Sequence, residues 1–228
     1  MTATSDEKHI VKILHTAFVT HNVKQFKVEK PDGYKFIPGQ ATEISINETL
    51  WKDEKRPFTF TSLNEWDYLE FTIKIYNDHQ GVTNELGKLI AGDELILHDV
   101  FGAINYFGEG VFIAGGSGVT PFIAILRQLK LQNELGNNKL ICSNKMENDI
   151  ILNNEFTAML GSHFINTLTS EKTAAYDNST IDEKYLEEKI DDFSQYFYLC
   201  GPDAMVENIH QQLIKLGADK ATIIIELF

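Results

Sequence analysis

The sequence predicts two domains of different class: an N-terminal antiparallel six-stranded β-barrel over residues 1–104, and a C-terminal α/β domain with a Rossmann-like parallel sheet over 105–228. Three observations carry this. Short runs of alternating apolar residues, separated by turn residues, fill the first hundred positions with little helical pattern. From about residue 105 strand and helix signals alternate, as a parallel sheet requires. A glycine-rich turn, Gly115 to Pro121, lies at the first strand-to-helix junction of that second half.

In chain order, Phe26 and Val28 mark a strand and Pro31-Asp32-Gly33 a turn, and Ile37-Pro38-Gly39-Gln40 breaks the chain again before Ile44 and Ile46. Leu69, Phe71, Ile73 and Ile75 alternate with Glu70, Thr72, Lys74 and Tyr76, the period of a half-buried strand. A short helix is expected from Thr83 to Leu89, closed by Ala91-Gly92-Asp93. In the second half, Val111–Ala114 is a compact apolar strand. Thr120-Pro121 then reads as N-cap and first-turn proline of a helix whose apolar stripe is Phe122, Ile125, Leu126 and Leu129. Strands follow at 140–142, 164–168, 196–200 and 223–225. Thr180 with Glu183 gives a capping-box signal for a helix carrying Tyr185, Leu186 and Ile190, and a further helix runs from Asp203 to Leu216.

Composition narrows the function. The 228 residues carry a formal net charge of −13, and both halves are acidic, so neither reads as a nucleic-acid binder. No apolar run approaches the ~20 residues of a membrane span, and the first residues lack the pattern of a signal peptide. A cytoplasmic location is therefore the expectation. Two cysteines, Cys142 and Cys200, are too few for an iron-sulfur cluster and too separated to suggest a disulfide framework. The seven histidines show no metal-ligand spacing, and no metal site is expected.

Four short segments carry chemistry. Arg56-Pro57-Phe58-Thr59 places a guanidinium, a ring and a hydroxyl on one extended run, suited to a flat, phosphorylated ligand such as a flavin nucleotide. By itself it reads equally well as a basic turn leading into an aromatic strand. Gly115-Gly116-Ser117-Gly118-Val119-Thr120 sits where backbone N–H groups and a helix start hold a pyrophosphate. It departs from G-x-G-x-x-G at Pro121, and no ribose-binding acid ends the next strand, which runs into Ser143-Asn144-Lys145. Cys200-Gly201-Pro202 opens a second strand-to-helix turn, which alone is more simply a buried thiol at a strand end. Gly81-Val82-Thr83 begins the short barrel helix and offers a second phosphate cradle, with Arg56 as its charged partner. Glu226-Leu227-Phe228 ends the chain after a strand, as a hydrophobic plug or a ring-stacking group.

The order of these blocks, from Phe36-Ile37-Pro38-Gly39-Gln40 through Arg56–Thr59, Ile73-Lys74, Gly81–Thr83 and Gly115–Pro121 to Cys200-Gly201-Pro202, resembles the ferredoxin-NADP(+) reductase superfamily over nearly the whole chain. The resemblance implies an FAD-binding barrel, with FMN second to FAD, followed by an NAD(P)-binding domain. Arg56 is then implied to hold the flavin phosphate, Phe58 to stack on the isoalloxazine and Thr59 to hydrogen-bond N5, with Pro57 among the cofactor-binding residues. The backbone at Ile73 and Lys74 is implied to contact the flavin, and Gly81, Val82 and Thr83 to cap its pyrophosphate. Gly115, Gly116, Ser117, Gly118 and Thr120 are implied to cradle NADPH or NADH, with Cys200 and Gly201 beside the nicotinamide and Pro202 and Phe228 among the cofactor-binding residues. Thr59, Cys200 and Glu226 are the implied catalytic residues.

Under that resemblance electrons leave for a separate acceptor, such as a ferredoxin, a flavodoxin or a small molecule, because no cluster cysteines are present. An acidic ferredoxin or flavodoxin is repelled by the net charge unless Lys24, Lys27, Lys30, Lys35, Lys52 and Lys55 form a local patch. Asn144, Lys145, Ser170 and Lys172 are the candidates to meet a 2′-phosphate, which leaves NADPH slightly ahead of NADH. Two other activities fit the same blocks: an NAD(P)H:flavin reductase using free flavin, and a flavin-bearing electron-relay subunit.

Overall fold

The computed structural model describes residues 8–78, 80–102 and 104–226. The chain divides into two compact units, Met1–Ala103 and Ile104–Phe228.

The first unit is a closed antiparallel barrel. Its strands are β1 (His9–Phe18), β2 (Val23–Glu29), β3 (Ala41–Ile46), β4 (Arg56–Thr59), β5 (Tyr68–Lys74) and β6 (Glu94–Phe101). They hydrogen-bond in the order β4-β3-β6-β1-β2-β5. The two outer strands are then joined: Phe60 bridges Phe71, and the Thr61 N–H donates to the Glu70 carbonyl at 2.8 Å. Closure joins to each other the two strands that would otherwise be edges. Inward residues Phe26, Val28, Ile44, Phe60, Leu69, Phe71 and Leu97 form the core, with Phe36 stacked on Phe60 at 4.1 Å between ring centres.

Alternation along β5 predicts one wet face, and the structure differs. Glu70 and Thr72 are buried as well, because the Thr61 hydroxyl donates to the Glu70 carboxylate at 2.9 Å and lies 3.3 Å from the Thr72 hydroxyl. Paired this way, polar side chains tolerate burial. The barrel helix is α1 (Val82–Lys88). Its C-terminal carbonyls are held by Lys24, a buried lysine on β2 whose ammonium donates to Gly87 O at 2.9 Å and Leu89 O at 2.7 Å. Burial lowers the Lys24 pKa, partly offset by Asp93.

The second unit contains β7 (Gly110–Gly115), α2 (Thr120–Gln132), β8 (Lys139–Asn144), α3 (Asn153–Leu160), β9 (Phe164–Leu168), α4 (Glu183–Lys189), β10 (Tyr196–Cys200), α5 (Asp203–Lys215) and β11 (Ile223–Ile225). The five strands are parallel in the order β11-β10-β7-β8-β9. Alternate residues of β7 serve different cores. Val111 and Ile113 join Tyr185 and Leu186 of α4 and Val206, Ile209 and Leu213 of α5. Phe112 turns to the opposite face and meets Phe122 of α2 edge-on at 5.1 Å. The sheet is therefore covered on both sides, as parallel sheets are.

Two helix starts differ from the sequence reading. Thr120 is the first residue of α2, not its cap: a 3-10 turn over Gly116–Val119 precedes it, and the Thr120 hydroxyl donates back to Ser117 O at 3.0 Å. At α4 the cap is Asp182, whose carboxylate accepts from Tyr185 N at 2.9 Å, instead of Thr180. Asp182 stands directly before the helix, where its carboxylate reaches an unpaired first-turn N–H, whereas Thr180 lies two residues further back.

Entry into the second unit is fixed by Tyr198. Its buried ring stacks on Phe112 at 4.4 Å, while its hydroxyl accepts from Phe107 N and Gly108 N, both at 3.0 Å, and donates to Gly108 O at 2.7 Å.

Candidate functional site

In the barrel, Arg56 and Pro57 lie exposed at the start of β4, Phe58 is half-buried against the core, and Thr59 is buried. Pairing with β3 sets this order, with Arg56 opposite Ile44 and Thr59 opposite Ala41. The Arg56 guanidinium is about half exposed, donates to Lys55 O at 2.6 Å and lies 3.6 Å from Glu54. Such exposed pairs hold weakly, about 0–1 kcal/mol, so the fork can turn to a phosphate at little cost. Ile73 and Val82 point into the core, which leaves only their backbone for a ligand; Lys74 lies over the Tyr76 ring. Gly81 is extended, gives α1 no side-chain cap, and has nothing within 4 Å of where a Cβ would stand. Among the described residues, Gly81 therefore leaves the start of α1 without a side-chain cap. These features fit a flavin nucleotide: an available guanidinium, a half-buried ring beside it, and an open glycine at a helix start.

In the second unit the two glycine-bearing turns are packed together at the carboxyl ends of β7 and β10. A Cβ on Gly118 would stand 2.4 Å from Cys200 O, one on Gly115 2.7 Å from Pro202 Cδ, and one on Gly201 2.9 Å from Gly115 N. Gly115, Gly118, Cys200, Gly201 and Pro202 therefore meet as one backbone surface that admits no larger residue. Gly116 differs: it takes a left-handed φ of 54° with open space around it. Ser117 and Thr120 flank it on the 3-10 turn and the helix start. The arrangement is a cradle whose exposed surface is backbone, at the end of a parallel sheet where nucleotides bind.

Cys200 and Glu226 form the chemical end of this surface. Glu226 follows β11, its N–H donates to Leu199 O at 3.1 Å, and the residue is 5% exposed. Neither carboxyl oxygen makes a hydrogen bond of ordinary geometry among the described residues; the group that feels its charge is the Cys200 thiol. Burial pushes the Glu226 carboxyl up to about 7, and the thiol contact pulls it slightly back. Burial, then Glu226, raises the Cys200 thiol far above its ordinary range, and burial does the same for Cys142. Both cysteines are free, buried thiols, and burial favours their protonated form. Phe228, among the cofactor-binding residues the resemblance implies, lies outside the described residues, as does His79 next to the Gly81 turn.

Residues 8–102 match the family model described as an FAD-binding domain, and residues 112–211 match the one described as an oxidoreductase NAD-binding domain. The chain pairs an FAD-binding domain with an oxidoreductase NAD-binding domain, the order that the resemblance implies. It is an FAD-dependent NAD(P)H oxidoreductase, with one matched domain for each nucleotide. Among curated relatives, "NADH-cytochrome b5 reductase 1" of Rattus norvegicus is 23% identical, over 93% of this chain and 83% of that protein. Among solved structures, a ferredoxin NADP+ reductase from Neisseria gonorrhoeae with bound FAD and NADP superposes with a TM-score of 0.83 at 24% identity, covering 96% of this chain and 98% of that one. The FAD/NAD-binding domain of a nitric oxide dioxygenase from Vibrio cholerae gives 0.87 at 22% identity, covering 98% and 99%. These two structures share the fold. No helix among the described residues is long and apolar enough to cross a membrane.

Sequence reasoning missed Lys24. The sequence places it among the barrel's surface lysines, yet it is buried against α1, and nothing in the alternation of β2 marks it, since Val23 beside it is buried too.

Proposed function

We propose that this reductase takes hydride from NAD(P)H onto a retained FAD and delivers the electrons to a separate redox partner, with Arg56 and the Gly81–Thr83 turn holding the flavin phosphates. The observation that carries this is the open, uncapped Gly81 helix start in the same closed barrel as the half-exposed Arg56. Two candidate phosphate anchors on one barrel support retained FAD over a passing free flavin.

Bound FAD supplies an acceptor for two electrons that can be released one at a time. The protein residues do the rest. The half-buried Phe58 ring offers a stacking face, and Thr59 is held rigidly by its pairing to Ala41, ready to donate to N5. Gly116, Ser117 and the Thr120 end of α2 grip the coenzyme's pyrophosphate. Cys200, kept neutral, fills the strand end as a small, uncharged wall beside the nicotinamide. Glu226 can hold or release a proton near neutral pH because burial has moved it there.

For the acceptor, the barrel lysines argue against an acidic ferredoxin or flavodoxin. Lys24 is committed to α1, Lys30 donates to Asn64 O at 2.7 Å, Lys55 pairs with Glu43 at 3.4 Å, and Lys27 lies over the Tyr68 ring. Only Lys35 and Lys52 of the six are exposed. A less acidic one-electron partner fits this surface better.

Anaerobic mixing of the flavin-loaded protein with NADH and with NADPH, followed by a panel of redox proteins of differing charge, tests the proposal. Bleaching of the flavin by at least one coenzyme and transfer to a protein acceptor are expected. Flavin lost on dialysis, or a flavin that neither coenzyme reduces, overturns it.

A further inference from the structure

The strand after the glycine-rich turn, β8, ends without the acid that reads an adenosine ribose in many dinucleotide folds. The structure supplies one from the next strand. Beyond their carboxyl ends β8 and β9 are stapled together: Thr169 N donates to Asn144 O at 2.9 Å and Ser170 N to Lys145 O at 3.0 Å. The following residue, Glu171, turns its carboxylate back over the β8 loop and accepts from Glu147 N at 2.7 Å. One residue earlier, Met146 N donates to the Asp149 carboxylate at 3.0 Å.

Two consequences follow for a coenzyme on this sheet. The backbone N–H groups of Met146 and Glu147 are the donors that a phosphate at the end of β8 needs, and both are already bonded to the chain's own carboxylates. A 2′-phosphate arriving there has to displace them and then lie against Glu147, Asp149 and Glu171, with the exposed Lys145 and Lys172 in its favour. A ribose diol meets the opposite situation, because a carboxylate accepts at about four positions and one bond from Glu147 leaves Glu171 able to take hydroxyl donors. The distance is suitable. With strands about 4.8 Å apart, β10 and β9, three steps distant in the sheet, end about 14 Å from each other, with the Gly115 turn between them.

We infer that Glu171 makes this enzyme selective for NADH over NADPH: it accepts from the adenosine ribose and excludes a 2′-phosphate. The inference rests on the proposed placement of the nicotinamide near Cys200 and the pyrophosphate on the Gly115 turn. It reverses the slight preference for NADPH drawn from Lys145 and Lys172.

The test is calorimetric binding of NAD+ and NADP+ to the flavin-loaded protein, wild type, Glu171→Gln and Glu171→Lys, alongside flavin reduction by NADH and NADPH. The wild type is expected to bind NAD+ at least tenfold more tightly. Glu171→Gln should weaken NAD+ severalfold, and Glu171→Lys should shrink the NAD+/NADP+ ratio by at least tenfold by strengthening NADP+. Equal binding of both nucleotides by the wild type, or a ratio unmoved in both variants, overturns the inference while leaving the proposed function standing. Binding and reduction by neither coenzyme overturns both.

Discussion

Replacing Glu226 with glutamine removes a titrating group without changing its shape, and the structure sets the size of the effect. The carboxyl is 5% exposed, lacks ordinary hydrogen bonds, and has its pKa raised from 4.5 to about 7 by burial. Below pH 4.5 the group is protonated both folded and unfolded, so the raised pKa costs no stability there. Between 4.5 and 7 unfolding lets the group ionise, so stability falls as pH rises; above 7 it is ionised in both states and the loss is complete. The difference amounts to about 3 kcal/mol. The amide in the Glu226→Gln variant carries no such dependence. Urea denaturation of the wild type and Glu226→Gln, in the same flavin-loaded state at intervals from pH 4 to 8, should show the variant gaining about 3 kcal/mol relative to the wild type across that window. Difference infrared spectroscopy should show one protonated carboxyl persisting to near neutrality in the wild type alone. A stability difference that is flat with pH, or a carboxyl that titrates near 4.5, refutes the burial argument.

Arg56→Ala should leave folding within about 0.5 kcal/mol, since its own contacts are exposed, but weaken FAD retention on the order of tenfold or more, as loss of a charge-assisted phosphate contact of about 1.5–3 kcal/mol implies; flavin content after dialysis measures it. Lys24→Met should cost about 1–3 kcal/mol in thermal or urea unfolding, because two carbonyls at the end of α1 lose their donor. Gly118→Ala should destabilise by about 1–3 kcal/mol, since its Cβ meets the Cys200 carbonyl backbone at 2.4 Å. Gly116→Ala, with open space around it, should cost about 1 kcal/mol from its left-handed backbone alone, yet lower coenzyme affinity, read by titration of NAD+.

The parallel sheet was largely legible in the sequence. The runs at 164–168, 196–200 and 223–225 are the observed strands β9, β10 and β11, because each is a short apolar run cut off by turn residues. Strands β1 and β6 were not legible. Their histidines and acids interrupt the apolar period, and pairing across the barrel rather than local pattern makes them strands: Ile10 opposite Ile96, Val11 opposite Leu95. Helix α3 was missed because its only buried residue is Phe156, leaving no stripe to read. At the candidate site, the glycines and Arg56 were visible because few residue types can occupy such positions. Glu171 was not, since its neighbours Ser170 and Lys172 look like phosphate ligands until the fold turns the carboxylate between them onto the Glu147 N–H.

The Tyr198 clamp also bears on how the protein is made. The residues it holds, Phe107 and Gly108, are synthesised about ninety positions earlier than the tyrosine itself. At a translation rate of about 5–20 residues per second, the opening of the second unit waits roughly 5–20 s for its partner. Once β8 has been made, β7 has a neighbour on one side but lacks β10 on the other, and the apolar strand Gly110–Gly115 stands as an open edge. That edge stays open after β9 has been made and until β10 has, a period set by how far along the chain Tyr198 stands.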